Sequence, residues 1–149
     1  MRKNNMFLFV RKYFGFLKFV PGLAIVFDGL LKLGTFASKP ALLDWMDEIE
    51  AKALSWPNTR ATTHKYGGLQ LNYIKTEIGH IHGNGLLDML LSRKIKEQLM
   101  ADGRIEDHHT FKNTGWISFY IHNKNDAGYA LALLRLGYER LEGKNNNDL

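Results

Sequence analysis

Residues 69–83 read Leu69-Gln70-Leu71-Asn72-Tyr73-Ile74-Lys75-Thr76-Glu77-Ile78-Gly79-His80-Ile81-His82-Gly83, and the class of the fold turns on this stretch. Leu69, Leu71 and Tyr73 alternate with Gln70 and Asn72, the period-two mark of a strand buried on one face. Lys75-Thr76 turns the chain into a further strand, Glu77 to His82. Just upstream, residues 60–66 alternate weakly as a strand, and Gly67-Gly68 reads as a turn or bulge. Links this short favour antiparallel pairing, because a parallel crossover takes a dozen or more residues.

Outward from this centre, Ser38-Lys39-Pro40 starts a helix with Pro tolerated in its first turn. Leu42, Trp45, Met46, Ile49 and Ala53 follow at helical spacing, and Trp56-Pro57-Asn58 ends it. After the break Gly83-Asn84-Gly85, the run Leu87, Leu90, Leu91, Ile95, Leu99 reads as a helix that stops at Gly103, with Asp88 capping its first turn. Ile105 to Phe111 and Trp116 to His122 read as a hairpin around Asn113-Thr114-Gly115. Asn125-Asp126 caps a last helix with the face Ala130, Leu133, Leu134, Gly137, Tyr138 and Leu141. The order α-β-β-β-α-β-β-α predicts an α+β fold, an antiparallel sheet of about five strands with helices on one face. Three segments are expected: a basic, Phe-rich N-terminal helical segment (1–39), the α+β domain (40–142), and a polar disordered tail (143–149).

The chain has 149 residues, 45% of them hydrophobic and 23% charged. That suits one domain, and the apolar fraction is too high for a disordered chain. Cysteine is absent, which excludes disulfide scaffolds, iron–sulfur proteins, Cys-ligated zinc fingers and thiol nucleophiles. The net charge of +5 is unevenly placed. Arg2, Lys3, Arg11, Lys12, Lys18, Lys32 and Lys39 precede residue 40 against one acid, Asp28, whereas residues 40–149 carry 13 basic and 14 acidic side chains. Seven of the nine Phe also lie before residue 40. Basic charge in the company of Phe, Leu and Val suits a lipid interface better than nucleic acid, so no nucleic-acid partner is expected. Residues 6–19 resolve into an apolar face and a basic face, Pro21-Gly22 interrupts, and a second apolar run, Leu23 to Leu33, contains Asp28. The longest uncharged run, Phe19 to Phe27, is too short to span a bilayer. Residues 6–36 are therefore expected to lie on a membrane surface or to pack on the domain as a helical hairpin. The basic flank predicts a cytoplasmic protein at the inner face of the cell membrane.

Chemistry centres on Glu77-Ile-Gly-His80-Ile-His82-Gly83. Strand residues two apart share a face, so His80 and His82 project together with Ile78 beside them, and Glu77 points away unless a bulge turns it. Two imidazoles on one face can act as a general acid/base pair, hold a polar ligand, or bind a metal. Two protein ligands leave a metal site incomplete. His108 and His109 lie on the neighbouring hairpin and point to opposite faces, so only one can join the pair. Gly83 and Gly85 permit close backbone approach to a ligand. His64 and His122 carry no pattern and read as surface or satisfied polar residues, and Trp116 and Tyr138 as core aromatics. Nucleophile elbows, phosphate loops and dinucleotide fingerprints are absent.

Glu77-Ile-Gly-His80-Ile-His82-Gly-Asn-Gly, then Asp88, Gly103-Arg-Ile-Glu-Asp-His108-His109, Gly115-Trp116 and Leu134-Arg-Leu-Gly-Tyr138 resemble the luciferase-like domain family over about residues 40–142. That family takes in the fungal luciferase and many small bacterial proteins. The resemblance implies an oxygenase-like enzyme acting on a small enolic or aromatic ligand, with Glu77, His80 and His82 catalytic and His108 or His109, Trp116, Asp88, Gly83 and Gly85 near the ligand. It also implies that neither a metal nor an organic cofactor is needed, and that the N-terminal segment meets a membrane. This chain departs from the fungal pattern in its shorter length, its Gly83-Asn84-Gly85 and its compact hairpin turn. The fungal substrate is therefore not carried over. The alternative to an enzyme is a membrane-tethered module that binds a ligand or protein without turnover.

Overall fold

The computed structural model describes residues 22–108 and 110–147. The helix expected over residues 6–19 and His109 fall outside the described residues. Helix α1 (Leu23–Ser38) is followed by α2 (Pro40–Leu54), β1 (Thr59–Thr63), β2 (Leu69–Tyr73), β3 (Thr76–Ile81), β4 (Leu86–Leu90), α3 (Arg93–Ala101), β5 (Glu106–Asp107), β6 (Trp116–Tyr120) and α4 (Lys124–Asn147). The fold is α+β. Its strands form one sheet in the order β1-β2-β3-β4-β6-β5, with every neighbouring pair antiparallel.

The sheet has six strands where five are expected, and the extra one is β4. Residues 86–90 are buried almost throughout, so this strand lacks the alternation that marks a half-exposed one. Its leucines also happen to fit helical spacing. The helix starts later, at Ser92, whose hydroxyl accepts the Ile95 amide at 3.2 Å. Asp88 is thus not a helix cap but a mid-strand residue, 1% exposed. The expected hairpin over 105–122 shrinks to a two-residue β5 on β6. The link leaves the sheet because the His108 ring takes the backbone amides of Thr110 and Phe111, both at 3.1 Å.

At α4 the cap is Asn123 rather than Asn125-Asp126. Asn123 Oδ1 accepts the Asp126 amide at 3.0 Å while Asp126 Oδ2 accepts from Asn123 Nδ2 at 2.9 Å, a reciprocal capping arrangement. The helix then runs on to Asn147 in place of the disordered tail expected from residue 143, with Lys144 in its last turn facing the negative end of the helix dipole.

Cross-strand partners lie on the same face of a sheet. One row reads Leu71, Gly79, Met89, Ile117 and packs on α4, whose Leu134 and Gly137 touch it. Helix α2 packs on α4 and β1. The next row reads Gln70, His80, Asp88, Ser118, Glu106. A polar row therefore backs an apolar one, and α1 meets its end at Gly67, His82 and Gly83. That helix packs on α2 yet turns its polar side inward. Asp28 and Thr35, two turns apart, are buried, while Ile25, Val26, Leu30, Leu33 and Phe36 are exposed. No helix among the described residues is long and apolar enough to cross a membrane.

Candidate functional site

The polar row becomes a site because of one irregularity in β3. Leu71 pairs with Gly79, but Asn72 pairs with Glu77, so Ile78 is an extra residue in the strand. The bulge reverses two expectations. Ile78 leaves the histidine face and is fully buried against Gly137 of α4. Glu77 swings onto the histidine face, where its Oε1 lies 2.6 Å from His80 Nδ1.

His80 and His82 emerge on one face as alternation requires, with ring centroids 5.0 Å apart and planes at 86°. Asp88 stands directly across the β3–β4 ladder from His80. Ser118, across the next ladder, donates its hydroxyl to Asp88 Oδ1. The other carboxylate oxygen, Oδ2, is approached by His80 Nε2 at 3.8 Å, His82 Nε2 at 3.7 Å and His108 Nε2 at 3.8 Å. Because His108 Nδ1 accepts two backbone amides, its ring proton sits on Nε2 and faces Asp88. Trp116 lines the cluster rather than the core, 5.6 Å from His108 and 6.3 Å from His80 by ring centroid. Gly85 lies away from it, turning the β3–β4 connection against Leu42.

Three members carried no clear signal in the sequence. His64 is buried and stacks on His80 with centroids 3.7 Å apart and planes 7° from parallel. Ser118 is recognisable only from the register of β4 on β6. Asp28 is the third. Its Oδ1 accepts the Gly83 amide at 2.8 Å and lies 3.5 Å from His82 Nδ1. Gly67 and Gly83 let α1 come this close. A Cβ on Gly83 would sit 2.9 Å from the backbone of Asp28 and Lys32, and one on Gly67 would sit 2.3 Å from Asp28 Cβ.

Residues 75–137 match the family model of the Luciferase domain. Over this segment the chain is similar to that family. No curated protein and no solved structure matches the chain. The matched segment holds Glu77, His80, His82, Asp88, His108, Trp116 and Ser118. His64 and Asp28 reach the site from outside the matched segment.

Electrostatically the cluster is divided. Burial alone would lower the His82 pKa, but pairing with Asp28 and Asp88 outweighs it and raises the pKa to about 9. Burial likewise works to raise Asp28 and Asp88, and His82 holds both below the ordinary carboxylate range, helped by the Gly83 amide at Asp28 and the Ser118 hydroxyl at Asp88. His64 is pushed down to about 4 by burial and then by the charge of His80. A stacked neutral imidazole and a paired imidazolium thus lie within one site. His64, Glu77 and His80 could together hold a metal ion, and so could His80, His82 and Asp88.

Proposed function

We propose that the protein is an oxygenase-like enzyme that moves a proton on a small enolic or aromatic molecule at the His80–His82 strand. One observation carries the reading: Glu77 grips His80 Nδ1 at 2.6 Å and so directs Nε2 into the cluster. A carboxylate orienting an imidazole is the arrangement that makes a histidine an effective base. His82, set between Asp28 and Asp88, is placed to meet the oxyanion left behind. Trp116 offers a flat apolar wall to an aromatic ring. Glu77 and His82 are the cluster's solvent-facing members, with side chains that keep 26% and 19% of their exposure.

The test is a panel of small enols, phenols and hydroxylated pyrones, followed by ligand-induced thermal shift and oxygen uptake. At least one compound should bind and turn over, and His80→Gln should lower turnover by about 100-fold or more, the usual worth of a general acid or base. No binder in the panel, or equal rates in wild type and variant, would overturn the reading; binding without turnover would point to a non-catalytic binding module.

We further propose that α1 rests on the cytoplasmic surface of a membrane. Its outward Leu30, Leu33 and Phe36 are 60%, 65% and 66% exposed, and seven basic side chains lie in residues 1–39. Anionic vesicles should carry the full chain upward in a flotation gradient and leave a Leu30→Ser/Leu33→Ser/Phe36→Ser variant behind. Equal recovery of both in the lipid-free fraction would refute it.

A further inference from the structure

We propose that His80 Nε2, His82 Nε2 and Asp88 Oδ2 form a binding site for one divalent transition-metal ion. The inference rests on reading the cluster as the reactive centre, and it departs from the metal-free chemistry that the family resemblance implies.

The first ground is a mismatch of donors and acceptors. Glu77 accepts a hydrogen bond from His80 Nδ1–H, so His80 presents a lone pair at Nε2. Opposite it stands Asp88 Oδ2, also an acceptor, at 3.8 Å. His108 points its Nε2 proton at the same oxygen, and a cation seated between the two lone pairs would tie His80 to it as well. The distances point the same way. Nε2 of His80 and of His82 lie 3.8 and 3.7 Å from that oxygen, longer than hydrogen bonds of about 2.7–3.2 Å. Around a tetrahedral ion with bonds of about 2.0–2.1 Å, ligand atoms lie about 3.4 Å apart. Those two edges need a contraction of a few tenths of an ångström, and one ligand atom from each of the three residues lies within 4.8 Å of the others.

The surroundings are those of metal ligands. A ligating histidine commonly gives its other ring nitrogen to a carboxylate, which fixes the tautomer and aims the lone pair. His80 does so with Glu77, and His82 turns its Nδ1 toward Asp28 Oδ1 at 3.5 Å. Ser118 fixes the third ligand through Asp88 Oδ1. Charge agrees as well. Among the described residues, the ion pairs of Glu77, Asp28 and Asp88 are all with histidines, and no lysine or arginine joins them. Three carboxylates gathered in one cluster concentrate negative charge, which a dication would offset.

Geometry also chooses between the two possible triplets. The His80 and His82 planes are perpendicular, so in-plane lone pairs can converge. His64 and His80 are stacked nearly parallel, and the Glu77 contact to His80 is already a hydrogen bond, so His64, Glu77 and His80 form the supporting layer. Two histidines and one carboxylate leave coordination positions open, the pattern of zinc hydrolases and non-haem iron oxygenases. Bound there, the ion would supply Lewis acidity for a developing oxyanion. Glu77, the most exposed carboxylate of the cluster, is then the group left to take the proton.

The experiment uses untagged full-length protein stripped with chelator, titrated with Zn2+ by calorimetry and with Co2+ by visible absorption. One equivalent should bind, with the d–d bands of a low-coordinate cobalt site. His82→Ala and Asp88→Asn should abolish stoichiometric binding. His64→Ala and the surface control His122→Ala should keep it, and circular dichroism checks the fold of each. Failure of wild type to bind either ion, or equal binding by wild type and His82→Ala, overturns the inference whatever the other variants do. Turnover of the enol panel in excess chelator separates the two readings. Activity without bound metal overturns the metal's part and keeps proton-transfer catalysis, whereas a full equivalent of metal without turnover keeps the site and removes the enzyme.

Discussion

Lys96 shows how much a single residue can be asked to tolerate in this fold. Its side chain is buried on α3, yet it carries an ammonium group, which Asp107 at the end of β5 and the Thr114 carbonyl, 2.8 Å away, both accept. That contact pins the β5–β6 link, and with it His108, to α3. The Lys96 hydrogen bond holds the Asp107 carboxyl below its ordinary value, which fixes the sign of its pH dependence. A depressed folded-state pKa contributes stability above pH 4 that is lost as pH falls through the folded value. Asp107→Asn should therefore lower the unfolding free energy read from urea titration at pH 7, by about 1–3 kcal/mol for a buried ammonium short of one charged partner. The gap between wild type and variant should narrow below pH 4, and a gap that stays constant would contradict the assignment. Among the residues of the candidate site, His80, His82 and Glu77 are legible because a short motif carries them. Asp28 shows in the sequence only as the one acid among residues 1–39, a lone charge in an apolar run that is either paired or costly. His64 and Ser118 give no signal, since each acts only through a neighbour on another strand.

At the level of the element, β3 meets two demands with one strand. Its histidine face must hold polar groups, and its other face must admit α4 at close range. Gly79 serves the second: a Cβ there would lie 2.7 Å from Met89 Cβ, 3.1 Å from the Asp88 carbonyl and 3.2 Å from Leu134 Cδ2. Gly79→Ala should cost about 1–3 kcal/mol as an overpacked core substitution, seen as a lower urea midpoint with unchanged slope; a neutral result would mean that α4 is not seated where it is placed here. The bulge at Ile78 serves the first demand, and it marks the limit of pattern reading. Alternation puts His80 and His82 together correctly, but one inserted residue exchanges the positions of Glu77 and Ile78. β4 was unreadable for a different reason. Covered by α4 on one side and by the cluster on the other, it shows a continuous apolar run with one acid, and spacing alone cannot tell that from a helix.

For the whole molecule, the helices and the sheet follow from apolar periodicity, whereas the placement of α1 does not. That helix is built inside out: its acid faces the protein and its apolar side chains face away. Asp28 is the link that holds it, through the Gly83 amide and His82. Asp28→Ala should raise amide hydrogen exchange over residues 23–38 by roughly 10–100-fold, the loss expected for a charged hydrogen bond of about 1.5–3 kcal/mol. Amides of β3 and β4 should be unaffected, and equal acceleration across the sheet would show that α1 is not a separate unit. The arrangement bears on how the protein is handled. Clipping off the apolar segment near residue 40 would be an ordinary step toward better expression. The product would lack the aspartate that steadies His82, so an inert preparation would say nothing about the intact chain.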